Sequence, residues 1–272
     1  QEYLDFTTSY HDEDDYITLL NLAQNLYYLY KLTTKEKFSD EIRTYTAQFL
    51  GTIFDRLDWD SKKNERHTDS LLRSFVITAL GKLGDKEILS EANKRFNKFL
   101  KNKNSLAADL QEPVFVLAAW QGDKKTYNRL LSLYRKSTLQ EEKIRFLMAM
   151  CNFKQKNLLL KTLALSLTPE VRSQNIRAPI MGVSANIYGK DVLWPWLKNH
   201  WKELVRKFGV GNPLANRIVA SVGGVIDDKQ ERDVRNFFKR NPLPGTERVI
   251  EQTLERVRIR SKFLRRIKAE FG

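Results

Sequence analysis

Histidine and cysteine are nearly missing from this chain of 272 residues: there are three histidines, His11, His67 and His200, and one cysteine, Cys151. A single thiol excludes an internal disulfide framework and suits a reducing compartment, so a cytoplasmic setting is expected. No histidine falls in His-Glu-x-x-His spacing, and no Cys/His zinc cluster can be built, so no metal site is expected within the chain. Gly-x-Ser-x-Gly elbows, phosphate-binding loops and Gly-x-Gly-x-x-Gly turns are also missing, and no catalytic residue is assigned. Seven prolines and 12 glycines are too few for a turn-rich β protein and suit long helices. No apolar run reaches the roughly 18 residues of a membrane span, and no secretory signal is evident. The chain opens at Gln1 rather than Met, and a piece of a larger protein is expected.

Charge is abundant and unbalanced. Lys and Arg outnumber Asp and Glu by 47 to 33, for a net charge of +14. The start is acidic (Asp12, Glu13, Asp14, Asp15), and the tail is dense in arginine (Arg256, Arg258, Arg260, Arg265, Arg266). Such an excess reads as a solvated helix face, a polyanion site or a docking face.

The most informative pattern is a repeat. Leu71 to Lys86 reappears in outline as Asp109 to Lys124, and each copy is an apolar helix ending at Gly-Asp-Lys before a second amphipathic helix. Gly84-Asp85-Lys86 and Gly122-Asp123-Lys124 lie 38 residues apart. Helix pairs at this spacing predict an all-α fold, an α-solenoid of antiparallel HEAT- or armadillo-like pairs forming a bowl-shaped superhelix. Apolar residues recur at 3–4 spacing from Tyr16-Ile17 to Leu32, and Ser39 is a candidate cap for a second helix. Thr68 is an alternative cap for a third helix carrying Leu71-Leu72, Phe75-Val76 and Ala79-Leu80. Helical segments continue over 85–101, 105–121, 123–136, 139–152, 156–166, 173–187, 189–208, 213–222, 227–239 and 246–269, the last capped by Thr246. No linker or low-complexity tract divides residues 1–272, which are expected to form a single domain.

Cys151 sits among Met148, Met150 and Phe153 and reads as core, as does the Trp194, Trp196 and Trp201 cluster. His200 reads as a packed or half-exposed helix histidine. Two polar groups are less easily dismissed. His67 and Arg73 belong to a polar patch, Glu65 to Asp69 and beyond, that serves either capping and ion pairing or a substrate-facing surface. On the segment 173–187, Ile176, Ile180, Val183 and Ile187 form one stripe, and Arg177, Met181 and Ser184 ride one step round it, where they could line a groove. Pro179 kinks this helix or delays its start.

Asn186-Ile187-Tyr188-Gly189, followed by Trp194-Pro195-Trp196 and Asn199-His200-Trp201, resembles the Asn-Pro-x-Gly…Trp-x-Phe-x-x-x-Asn-Trp segment of aminopeptidase N-type zinc aminopeptidases, the gluzincin group. Val234-x-x-Phe237-Phe238 and Glu247-Arg248-x-x-x-Gln252-x-Leu254-Glu255 are similar to that family's closing helices. The Pro-Leu-Pro-Gly turn resembles microbial members such as the archaeal tricorn-interacting aminopeptidases. The resemblance implies a C-terminal helical domain that caps a catalytic domain of the same chain, encloses short peptides and gates their access. Zinc and the catalytic motifs would then lie in that other domain, and a larger protease complex is a further implied partner. Arginines that some animal relatives place on the cavity helix align with Met181 and Ala185, a departure here, with Arg177 one turn earlier, and the family's aromatic residue on the last helix appears as Phe263. Arg177, Met181, Ser184 and Asn186 are the candidate cavity residues, together with His67 and Arg73, which the helix-pair pattern alone adds. Two other readings remain: a nucleic-acid binder using the basic tail, against which Glu247, Glu251 and Glu255 interrupt a phosphate track, and a protein-interaction scaffold. No membrane partner is expected.

Overall fold

The computed structural model describes residues 2–10, 13–209 and 213–271; His11 and Asp12 lie outside them. The described residues form α-helices and short 3-10 turns, with no strand among them. In chain order the helices are α1 (Glu2–Thr8), α2 (Tyr16–Thr33), α3 (Ser39–Leu57), α4 (His67–Leu83), α5 (Lys86–Lys101), α6 (Ala108–Trp120) and α7 (Lys124–Lys136). They continue as α8 (Gln140–Met150), α9 (Lys156–Leu167), α10 (Arg177–Ala185), α11 (Lys190–Phe208), α12 (Leu214–Val222), α13 (Glu231–Arg240) and α14 (Glu247–Phe271). The all-α expectation holds, and α1 is a helix that the apolar periodicity did not reveal.

The repeated Gly-Asp-Lys has a local physical cause. Gly84 ends α4 in the left-handed region, φ 102°, which a side chain would strain. Asp85 then caps α5, its carboxylate accepting from the N–H groups of Glu87 and Ile88 at 3.0 and 2.9 Å. Asp123 caps α7 in the same way, accepting from Lys125 and Thr126 N–H at 2.9 and 3.0 Å. Asp15 caps α2 through Thr18 N–H at 2.9 Å. Three expected caps differ. α3 and α4 begin without a side-chain cap bond, and Thr246 donates its hydroxyl to Leu243 O instead of accepting from α14.

Backbone contacts group the chain into two compact units, residues 1–118 with 264–272, and residues 119–263. In the first, α3 packs on α2 and α4, and α4 packs on α5. Leu26, Ile42, Leu50, Leu72, Val76, Ile77 and Phe96 are buried there. The chain end closes this unit: Ile267 joins Leu29, Phe38 and Ile42, and Phe271 stacks on Phe38 with ring centroids 4.7 Å apart. Not every apolar position of the periodic stripes turns inward, since Ile17 is 64% exposed and Leu71 49%.

In the second unit, α10 packs between α8 and α12, and α9 against α11, so alternate helices form two layers. Hydrogen bonds join residues 33 to 41 apart, about the length of one helix pair. Trp194 is held at both ends: its ring meets Phe237 edge-on at 5.3 Å, and its Nε1 donates to Asp233 at 2.7 Å.

The α4–α6 contact allows a direct test of core fit. A Cβ at Gly81 would stand 2.5 Å from Leu117 Cδ2, and Leu117 is fully buried. Gly81→Ala is expected to destabilise by about 1–2 kcal/mol, less than the clash alone because alanine favours helix. Adding Leu117→Ala should then cost less than it does in the native background, as measured by a urea double-mutant cycle.

Candidate functional site

The sequence singled out six residues in two places, and the structure treats them unequally. On α10, Ile176, Ile180 and Val183 are fully buried and fix the helix face. The start of the helix is set by a 3-10 turn, Ser173–Asn175, with Pro179 at the third helical position, so the helix is shorter than the expected 173–187. Gly182 allows close approach, because a Cβ there would stand 2.7 Å from Cys151 Cβ and 2.8 Å from its Sγ. Cys151 is accordingly buried packing, with its thiol directed to Leu147 O at 3.2 Å.

With the inner stripe fixed, Arg177, Met181 and Ser184 fall together on the flank of α10. Met181 is 42% exposed, Arg177 and Ser184 are half-buried, and Ala185 is exposed. Arg177 makes no ion pair among the described residues. Ser184 is already engaged, donating to Ser221 O at 2.6 Å. Unit two also carries a group that sequence reasoning missed. Tyr188 is 38% exposed, its ring is 5.5 Å from that of Trp120, and Lys154 Nζ lies 5.0 Å from the Trp120 ring centroid. Tyr188 stood within the motif segment, but its pairing with Trp120 left no local signal.

Asn186 does not join this flank. It is buried, donating from Nδ2 to Cys151 O and Phe153 O at 2.9 Å each, while its Oδ1 accepts from Tyr188 N–H at 3.0 Å. Every polar atom of its side chain is spent on backbone, and Asn186 staples neighbouring turns. Gly189 explains the motif's glycine, because a Cβ there would collide with the Val183 carbonyl oxygen.

In the first unit, His67 is exposed at the start of α4, whereas Arg73 turns inward with no exposed side-chain surface. Its Nε donates to Asp58 O at 2.9 Å, its Nη2 to Leu57 O at 3.1 Å, and Nη2 also pairs with Glu65. A guanidinium so enclosed clamps the 58–66 loop, which agrees with the ion-pairing alternative that the sequence left open for this patch. The Arg73 hydrogen bond holds the Glu65 carboxyl below its ordinary range against the opposing effect of desolvation. Arg95 clamps the same loop from α5, bidentate to Asp60 at 2.7 Å and 4.9 Å from the Trp59 ring centroid.

His200 stacks on Trp196 at 4.8 Å with Nδ1 beside Trp196 O. Much of the arginine-rich tail is committed internally. Arg258 binds Glu231, Arg260 donates to Gly223 O and Ile226 O, and Arg266 pairs with Glu270. Phe263 is exposed, four residues after exposed Ile259. No helix is long and apolar enough to cross a membrane among the described residues. No group of three or more His, Cys, Asp or Glu among them is placed to hold a metal ion.

A family profile described as "ERAP1-like C-terminal domain" matches residues 1–259. The chain is 31% identical to "Aminopeptidase M1" of Arabidopsis thaliana over 98% of its own length and 31% of that protein. It is 28% identical to "Aminopeptidase M1-B" of Oryza sativa subsp. japonica (96% of this chain, 30% of the relative). It is also 28% identical to "Glutamyl aminopeptidase" of Sus scrofa (97% and 28%). The chain thus spans less than a third of the curated relatives it matches.

Two substitutions test these structural roles. Asn186→Ala strands two buried carbonyls and is expected to destabilise by about 2–3 kcal/mol in urea unfolding. Glu65→Gln leaves Arg73 buried without its counter-charge and is expected to destabilise by about 2–3 kcal/mol. Because the folded Glu65 value is lowered, this contribution is full above the ordinary carboxylate range and is lost as pH falls through the lowered value, so the variant's deficit should shrink in acid.

Proposed function

Since the chain belongs to the ERAP1-like C-terminal domain family, we propose that it is the substrate-enclosing, gating domain of a zinc metalloaminopeptidase that removes N-terminal residues from short peptides. The reading rests on one observation: the match to aminopeptidases runs the length of this chain yet covers only a third of theirs, in a stretch without a metal-binding cluster among its described residues. Zinc and the bond-breaking groups would then reside in the remainder of the parent protein. This domain confines the peptide away from the scissile bond, and binding energy collected there positions the reacting end.

Within the domain, the flank of α10 is the proposed peptide surface. Met181 and Tyr188 offer apolar contact to side chains, and Arg177 offers a cation to a carboxylate. The buried stripe beneath keeps that flank from collapsing inward. In this reading the protein works in the cytoplasm, a setting compatible with a single buried thiol. Its partners are peptides and the catalytic domain of the same chain, and a larger protease acting upstream is a further proposed partner.

The test is made in the full-length parent enzyme. Arg177→Ala combined with Met181→Ala is expected to raise KM about tenfold for peptides long enough to reach α10, and much less for an aminoacyl reporter. Equal effects on both substrates, or none on either, would overturn the reading.

A further inference from the structure

The α10 flank is placed by more than its own helix. Three carbonyls at the C-terminal end of α12, those of Ser221, Gly223 and Ile226, accept side-chain donors from two other helices. Ser184 of α10 donates to Ser221 O at 2.6 Å. Arg260 of α14 donates from Nη1 to Gly223 O at 2.5 Å and from Nη2 to Ile226 O. A helix C-terminus presents unpaired carbonyls and partial negative charge, so a guanidinium bridging two of them satisfies both needs at once. The turn is also tight. A Cβ at Gly223 would stand 3.0 Å from Thr253 Cγ2 of α14, and a Cβ at Gly224 would collide with Ser184 Oγ. Val225 and Ile226 are buried, which leaves the turn little freedom to drift.

We propose that Arg260 is a positioning residue for the peptide surface: through the 223–226 turn it sets where α12 stands, and through Ser184 and the Gly224 contact α12 sets where α10 presents Arg177 and Met181. Arg260 touches no peptide. Its side chain is directed at backbone carbonyls, and its effect reaches α10 through the turn. The inference deepens the proposed function and rests on it.

The experiment compares KM and kcat of the full-length enzyme for a long peptide and for an aminoacyl reporter. Arg260→Ala releases the turn from α14, and Gly224→Ala displaces Ser184 Oγ from Ser221 O and so loosens α10 from α12. Both should raise KM for the long peptide about fivefold while leaving kcat and KM for the reporter unchanged. Arg260→Lys keeps the charge but cannot bridge both carbonyls, so it should fall between, and it serves in place of Arg260→Ala if that variant does not fold. Gly81→Ala, a destabilising change in the other unit, is the control and should leave KM for the long peptide unaltered. If Arg177→Ala with Met181→Ala shifts that KM but the Arg260 and Gly224 variants do not, the positioning role is overturned and the peptide surface stands. A shift in the Gly81 control equal to that of Arg260→Ala would also overturn it, reducing the effect to lost stability. If the Arg177 and Met181 variant itself leaves KM unmoved, the function reading falls and the positioning role falls with it.

Discussion

Helix ends must hand their unpaired carbonyls to someone, and in this protein they hand them to side chains from a neighbouring helix pair. Lys207 of α11 donates to Ser166 O and Thr168 O at the C-terminal end of α9, at 2.9 and 2.5 Å. Gln155 Nε2 donates to Gly122 O, Tyr134 Oη to Glu170 O, and Asn186 to Cys151 O and Phe153 O. In the first unit, Arg73 and Arg43 do the same for Leu57 O and Leu83 O. Burying such groups without partners costs far more than each bond returns. The stitches therefore act chiefly as a constraint on register, since a slip of one pair against the next would strand several carbonyls together.

Charge is distributed by the same logic. The strong excess of Lys and Arg suggested an outward field, but many of those cations serve as internal connectors. Arg258 and Arg235 converge on Glu231 and, with desolvation opposing them, hold its carboxyl down to about 2. Lys198 and the Trp194 N–H lower Asp233 in a similar way, tying α11 to α13. Because these carboxyls are depressed on folding, their contribution is complete above the ordinary carboxylate range and fades only as acid protonates them. Of the tail arginines, Arg258 is tied to Glu231, Arg260 to backbone carbonyls and Arg266 to Glu270.

How far the sequence could be read depended on whether information was local. Apolar spacing located α2 to α14 within a few residues, because a buried stripe must recur with the helical period. Asp85 and Asp123 were legible as parts of a repeat because a cap acts on the next three residues. The flank of Arg177, Met181 and Ser184 followed from the stripe beside it. The backbone partners of Arg73 and Asn186 were not legible, for the opposite reason. Those partners are carbonyls, which every residue possesses, so no residue type marked them as acceptors. The Arg95–Asp60 and Trp120–Tyr188 pairs were equally invisible, since each joins distant residues without a periodic trace.

A domain with no identified chemistry of its own can still govern a reaction if its binding surface is held in place before substrate arrives. Preorganisation spares the ordering cost that a floppy surface would draw from the binding energy. Here the candidate surface is a short helix of nine residues, too short to persist alone. What holds it is external: buried Ile180 and Val183 beneath, Asn186 fastening its C-terminal exit, and Ser184 fixed to α12, which Arg260 fastens in turn. The groups left outward, Arg177, Met181 and Tyr188, are those that none of these constraints consumes. Under the proposed function, a surface built this way would answer to residues that never touch a ligand, and specificity for peptide length would be alterable from α14 without a change on α10.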